Sequence, residues 1–322
     1  MRITLYGAGA IGCYLAAHLA RVPGLELSMV ARGETLAAIR RDGVRLQTAE
    51  GETRVPVHVT DDPSDLPAQD IVFVTLKGHQ VPPAIAGIAG LLGPESAVIP
   101  PTTGIPFWYF HGRGERQVPA LDPGGVQWAA FRPERCLGCT YWVACDTVGP
   151  GIVHTEGPAG LPIGEPDGSS SPRLRRLQEA MQEAGLRAPI REDIRGEIWT
   201  KMINSLVWNP AAVLTGGTLR DIAGAPDVVA TVRRMMAEAE AIPVALGTAL
   251  PTTSEQRIAT TLAMGGHRMS MLQDFTRGRL LEYPVLHDSL VAMREIAGLE
   301  TPTIDAVYAL LALKAKLHGV AP

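Results

Sequence analysis

Residues whose types and spacing could do chemistry fall in three stretches of this chain. The first is Arg2 to Ala20, RITLYGAGAIGCYLAAHLA, where Gly7, Gly9 and Gly12 stand at the spacing G-x-G-x-x-G with Ala10 and Ile11 inside the motif. Gly7 permits a tight turn, Gly9 lets the backbone approach a pyrophosphate, and Gly12 lets a helix pack closely on the preceding strand, leaving N–H groups aimed at the anion. In the second stretch, EIWTKMINSLVWNPAAV, Lys201, Ser205 and Asn209 are spaced i, i+4 and i+8 and share one helix face amid Ile, Leu, Val and Trp. Desolvation of a lysine on such a face is costly and lowers its pKa. The third, HRMSMLQDFTRGRLLEYPV, carries Ser270, Gln273, Asp274, Arg277 and Glu282, and Glu282 offers an ionic partner to Lys201. By spacing alone each of these side chains also fits a solvated helix face.

The elements that must position these groups follow from periodicity. Ile3 and Leu5 mark a short buried strand before the glycines and Ala10 to Ala20 a helix after them, which is the context a dinucleotide motif requires. Leu25 to Val30 reads as the second strand, with Arg32 directly after it. An acid about 20 residues past the glycine loop would hold the ribose 2′-hydroxyl of NAD. Ala31-Arg32-Gly33 instead offers a guanidinium to a 2′-phosphate, with Arg40 and Arg41 as helpers one helix later, so NADP is favoured. Val44 to Thr48 and Arg54 to Thr60 read as a hairpin around Glu50-Gly51. Asp70 to Leu76, DIVFVTL, reads as a central parallel strand ending in Lys77, and ligands of such sheets bind beyond the carboxyl ends of the strands. A helix is expected over Gln80 to Leu92 and a strand over Ser96 to Ile99, after which Thr103-Gly104 takes the matching carboxyl end. Phe107, Trp108 and Tyr109 close behind it fit either packing or cofactor stacking. From Cys139 to Ile163 short apolar stretches predict antiparallel strands that extend the sheet, then a helix from Arg173 to Gly185 and a last strand from Leu186 to Ile190.

After about Arg191 the pattern turns helical, over Ile194 to Leu214, Pro226 to Leu246, Thr253 to Met264, Val285 to Ala297 and Thr303 to Leu317. The expected fold class is therefore α/β: an N-terminal Rossmann-type dinucleotide-binding domain, residues 1–190, followed by an all-helical C-terminal domain, residues 191–322, for substrate and dimerisation. A chain of 322 residues has length for both cores. Apolar residues at 46%, charged residues at 19% and a net charge of −4 give no support to a nucleic-acid or anionic-membrane surface, so the expected partner is a small molecule, with a homodimer left open. Three glycines break the apolar run at the N-terminus and no run of about 18 apolar residues occurs, so a cytoplasmic protein without a membrane span is expected. Cys136 and Cys139 form C-x-x-C, but without a second pair or clustered histidines the reading is no metal site and no disulfide framework.

Taken together, GAGAIG at the start, Lys77 after an apolar strand, TGIPFWYF, WTK followed by Asn209-Pro210, and SMLQD upstream of Glu282 resemble the ketopantoate reductase family, in order along nearly the whole chain. The resemblance implies NADPH-dependent reduction of a 2-oxo acid, 2-dehydropantoate to (R)-pantoate, on the way to pantothenate and coenzyme A. It implies Lys201 as the general acid that protonates the carbonyl oxygen, Glu282 as the acid that positions that lysine and the substrate, Asn209, Ser205 and Ser270 at substrate-contacting positions, and Lys77 beside the cofactor. Hydride addition to a ketone builds alkoxide charge, which an ammonium can neutralise. Two positions depart from the family pattern. Thr103 stands where the family usually has asparagine, and Ser205 where it tends to have another; Asn204 falls one position early, and at about 100° per residue it is not expected to take that place without a local adjustment. The alternatives are a reductase of the same build acting on another branched or bulky 2-oxo acid, and a non-catalytic NADP-binding sensor.

Overall fold

The computed structural model describes residues 1–157 and 159–322. The chain parts into two compact units, one of Met1–Thr102 with Pro106–Ile194 and one of Thr103–Ile105 with Arg195–Pro322.

The first unit opens with β1 (Arg2–Tyr6), α1 (Ala10–Leu19), β2 (Glu26–Val30) and α2 (Gly33–Asp42), followed by β3 (Val44–Thr48), β4 (Gly51–Val55), β5 (His58–Thr60) and β6 (Gln69–Val74). After β6 come α3 (Ile85–Gly90) and β7 (Leu92–Ile99). Five strands form a parallel sheet in the order β5-β2-β1-β6-β7, with Tyr6 beside both Val30 and Val74. Strand order thus reverses at β1, which puts a ligand crevice beyond the carboxyl ends of β1 and β6. The helix expected over Gln80 to Leu92 is shorter, because Pro82 and Pro83 lack N–H donors; two three-residue turns, Gly78–Gln80 and Pro82–Ala84, precede α3.

The rest of the unit holds α4 (Val126–Phe131), β8 (Gly138–Cys139), β9 (Trp142–Gly149), β10 (Ile152–Gly160), β11 (Ile163–Gly164) and α5 (Pro172–Glu183). Here the structure corrects three readings. The strands after Cys139 do not extend the parallel sheet: β9 and β10 join the hairpin to make a second sheet, β4-β3-β10-β9. The segment Arg54 to Thr60 divides, its first part completing the hairpin and its last three residues becoming the edge of the parallel sheet. Leu186 to Ile190 forms no full strand; it runs beside residues 161–163, its Arg187 and Pro189 carbonyls accepting the N–H groups of Leu161 and Ile163 at 2.8 and 3.0 Å, with a single bridge from Ile190 to Ile163. Because α1 packs on β1 and β2 on one side and on β3, β9 and β10 on the other, it is buried nearly all round, from Gly12 through Ala17 and at Leu19. That explains an apolar sequence without a polar face.

The second unit is helical: α6 (Ile194–Thr215), α7 (Leu219–Ala223), α8 (Pro226–Ala245), α9 (Ser254–Leu262), α10 (Ser270–Thr276), α11 (Tyr283–Ala297) and α12 (Pro302–Leu317). The short helices α7 and α10 were not expected from periodicity. None of the described helices is long and apolar enough to cross a membrane.

Helix α6 is the spine of this unit. Trp199, Met202, Ile203, Leu206, Val207 and Trp208 are completely buried along it. Pro210 lies inside the helix and has no N–H to give the carbonyl of Leu206 one turn earlier. The phenol of Tyr308, on α12, donates to that carbonyl at 3.0 Å, and burial pushes the phenol's pKa well up, so it keeps its proton. Lys314, two turns further along α12, donates to the carbonyls of Val213 and Leu214 at 2.8 and 3.1 Å, at the end of α6 where helical donors run out. The N-terminus of α12 is held in turn by Glu238 of α8, which accepts the N–H groups of Thr303 and Ile304 at 3.0 and 3.1 Å.

Tyr308→Phe is expected to lower stability by about 1–3 kcal/mol, because the buried Leu206 carbonyl then has no donor. Measured as a thermal midpoint, much of that loss should return in Tyr308→Phe/Pro210→Ala, where residue 210 regains its N–H. A midpoint for Tyr308→Phe equal to the parent's would show that the carbonyl needs no donor.

Candidate active site

At the end of β1, Gly7 has φ +122°, a conformation side chains rarely adopt, and its N–H donates to the Val30 carbonyl at 3.0 Å. The hydroxyl of Thr75, just past β6, donates to the Gly7 carbonyl at 2.7 Å and so ties the loop to the neighbouring strand. A Cβ on Gly12 would stand 2.0 Å from the Gly7 oxygen and 2.8 Å from the Thr75 hydroxyl, so α1 can approach β1 only with hydrogen at that position. Gly9 differs from both. A Cβ there would meet nothing within 4 Å, and the residue is exposed with Ala10 and Ile11 half-buried behind it. Gly9 caps α1 without any side-chain acceptor, and the first turn carries no acid. Uncapped N–H groups, the positive end of the helix dipole and open space over Gly9 fit the pyrophosphate of a dinucleotide.

Arg32 is exposed at the start of α2, at the carboxyl end of β2, and makes no ion pair among the described residues. Its charge pulls down the pKa of the Tyr6 phenol, which burial holds up. Arg40 and Arg41 are engaged elsewhere, with Asp61 at 3.4 Å and Asp42 at 2.7 Å. Lys77 is half-buried beyond β6, and its backbone N–H donates to Gln80 Oε1 at 3.0 Å. Gly7, Arg32 and Lys77 thus stand at the carboxyl ends of β1, β2 and β6 in turn.

The two threonines before Gly104 have different duties. Thr102 is buried in the first unit and its hydroxyl donates to the Cys139 carbonyl at 2.8 Å. Thr103 is half-buried and opens the segment that belongs to the helical unit. There Gly104 lies so close to α11 that a Cβ would stand 2.4 Å from the Ser289 hydroxyl, which also accepts the Ile105 N–H at 3.3 Å. Glu282, half-buried, directly precedes the first turn of that same α11. Phe107, Trp108 and Tyr109 are all buried core residues, with Phe107 in edge contact with Trp128, which settles them as packing rather than cofactor stacking.

On α6, every residue from Ile194 to Val213 is buried except Lys201, Asn204 and Ser205, which are half-exposed. Asn209 is buried, and its Oδ1 accepts the Met271 N–H at 3.2 Å, which seats the start of α10 where Ser270 is exposed. The i, i+4, i+8 face is therefore divided: two positions open, the third committed in part to holding α10. Asn204, which rotation alone does not put in the place of Ser205, nevertheless shares the open window with Lys201 and Ser205, and its i+3 spacing from Lys201 is the sequence signal for it.

Other sequence features lie apart from this chemistry. Burial pushes the Cys13 and Cys139 thiols up to about 12 and the Cys136 thiol well up, so all three stay protonated. A pocket of about 330 Å³ in the first unit is lined by Phe107, Val118, Pro119, Asp122 and Trp128 and includes no predicted site residue. Both oxygens of Asp122 accept backbone N–H groups of α4, at 2.9 and 2.8 Å.

A glycine loop at the reversal point of a parallel sheet, open over Gly9, joined in one chain to a helical unit with a half-exposed lysine, is the build of a pyridine-nucleotide-dependent oxidoreductase. Comparison with known proteins narrows the class. Residues 3–105 match the family model described as ketopantoate reductase PanE/ApbA, and residues 193–315 match the model of its C-terminal part. A 2-dehydropantoate 2-reductase of Mesorhizobium japonicum is 42% identical over 97% of both chains. A crystal structure from Ralstonia solanacearum MolK2, provisionally named a ketopantoate reductase, covers 99% of both chains at 36% identity and a TM-score of 0.92. The 2-dehydropantoate 2-reductase structure from Methylococcus capsulatus is 25% identical with a TM-score of 0.81, covering 99% of this chain and 98% of that one. The chain belongs to the ketopantoate reductase PanE/ApbA family.

The glycine geometry separates two variants. Gly9→Ala is expected to keep the thermal midpoint of the free protein, since its methyl meets open space, while weakening nucleotide binding at least about 10-fold by blocking close approach. Gly12→Ala should lower both, because α1 must shift. Nucleotide titration beside thermal unfolding checks the pair, and unchanged binding in Gly9→Ala would mean the loop holds no pyrophosphate.

Proposed function

We propose that this protein reduces 2-dehydropantoate to pantoate with NADPH. The observation that carries the reading is the open window of α6, which keeps Lys201 half-exposed on an otherwise buried helix in a chain similar along its length to 2-dehydropantoate 2-reductases. When bound, the nicotinamide cofactor supplies a hydride to the keto carbon. Lys201, as an ammonium, donates its proton to the carbonyl oxygen as negative charge builds there, and solvent returns a proton to the amine afterwards. Glu282 orients that ammonium and the substrate. Ser270, Ser205 and Asn209 contact the substrate, and Thr103 and Lys77 stand at the nicotinamide end. The Gly7 to Gly12 loop, with Ala10 and Ile11, takes the pyrophosphate.

Arg32 supports NADPH over NADH. It is an exposed guanidinium at the end of β2 without a carboxylate partner among the described residues, where NAD-binding chains place an acid. A second reading, a different branched or bulky 2-oxo acid as substrate, draws on Thr103 and Ser205, two hydroxyls where the family tends to carry amides, since a hydroxyl offers one donor and an amide two.

Lys201→Ala should lower kcat by roughly 100- to 10,000-fold while NADPH still binds. Stopped assays of NADPH oxidation with a panel of 2-oxo acids test this, and tight NADPH binding without turnover of any of them would sink the enzyme reading. Arg32→Ala should weaken NADPH at least about 10-fold more than NADH, by loss of a charge-assisted bond to the 2′-phosphate. Equal losses for both cofactors would make Arg32 a surface residue.

A further inference from the structure

We propose that Asn204 is a specificity-determining residue whose carboxamide reads a hydroxyl on the substrate chain beyond the keto group. This rests on the reading of Lys201 as the proton donor.

Three observations place Asn204 there. From Ile194 to Val213 the helix is sealed except at Lys201, Asn204 and Ser205, so whatever meets the Lys201 ammonium from the open side also meets these two side chains. Spacings of i+3 and i+4 bring the Cβ atoms of Asn204 and Ser205 each to about 5–6 Å from that of Lys201, close enough for one small substrate to meet the ammonium and either side chain. The Oδ1 of Asn204 is covered yet has no hydrogen-bond partner among the described residues, whereas Asn209 on the same helix has its Oδ1 engaged by the Met271 N–H. Covered polar atoms are normally paired, and one left alone is costly, so an unpaired one marks a group that a ligand can satisfy.

An uncommitted carboxamide can turn about its last bond without losing any protein hydrogen bond, and so present either its NH2 or its oxygen to the open side. A hydroxyl, both donor and acceptor, can pair with either end. A purely aliphatic side chain can pair with neither and leaves the amide as it stands in the free protein. Asn204 therefore favours a hydroxylated 2-oxo acid, and it supplies an amide on the α6 window that Ser205 does not.

The test compares 4-hydroxy-3,3-dimethyl-2-oxobutanoate, which is 2-dehydropantoate, with 3,3-dimethyl-2-oxobutanoate, which differs only in lacking the hydroxyl. With the full-length protein and saturating NADPH, Asn204→Ala is expected to lower kcat/KM for the hydroxylated acid roughly 10- to 100-fold and for the other less than about 2-fold, the size of one lost hydrogen bond. NADPH affinity and thermal midpoint should stay at the parent's values. Asn204→Ser, smaller but able to pair with a hydroxyl, should recover part of the loss and guards against misfolding of the alanine variant. Equal losses on both substrates, or none on either, would overturn the assignment while leaving the reductase reading in place. A parent protein that turns over neither acid would overturn both.

Discussion

The helical unit depends on burying a helix that cannot satisfy its own backbone. Pro210 deprives the Leu206 carbonyl of its donor, and the end of α6 leaves the Val213 and Leu214 carbonyls open. All three are satisfied from α12, by Tyr308 and Lys314. Once these groups are paired, α6 can be surrounded by apolar side chains on almost every side. The few positions that stay open acquire meaning by contrast: on a solvated helix Lys201, Asn204 and Ser205 would be unremarkable, and on this one they are a window.

In the nucleotide-binding unit the corresponding constraint is steric. The Gly7 carbonyl lies so close to Gly12 that only hydrogen fits, and Thr75 fixes the same carbonyl from the neighbouring strand. One oxygen therefore registers β1, α1 and the end of β6 together, and the uncapped first turn of α1 is held beside the open space at Gly9. Packing α1 between two sheets adds to that rigidity, because a helix buried on both faces cannot roll without disturbing both.

Much of this was legible in the sequence where the cause is local. The glycine spacing carries its own steric argument, DIVFVTL has the composition of a strand buried on both faces, and α6, α8, α11 and α12 have the period of amphipathic or buried helices. Most of what is not legible depends on partners far away in the chain. Nothing in TYWVAC or GIVHTEG says which strand it will pair with, and the pairing of β10 with β3 is a tertiary choice. The exception is local: Pro82 and Pro83 are themselves the sequence signal that shortens the helix after β6. At the site, the residue types of Lys201 and Glu282 are readable but their expected roles come from family resemblance, and Asn204 stands out only from the width of the exposed face, which tertiary packing around α6 decides.

The segment Thr103–Ile105 carries a consequence for how the molecule is made. It is translated with the first unit, yet it packs against Ser289, nearly two hundred residues later, and its Gly104 leaves no room for anything larger than hydrogen there. A single cut near residue 190 therefore cannot yield a complete helical fragment, since that fragment would lack three residues of its own. On the ribosome the same segment must wait for α11 to emerge, so closure of the helical unit is a late, long-range event with the slow kinetics of distant contacts. Chain order and spatial order part at Gly104, and the two units, though separately packed, are covalently interleaved.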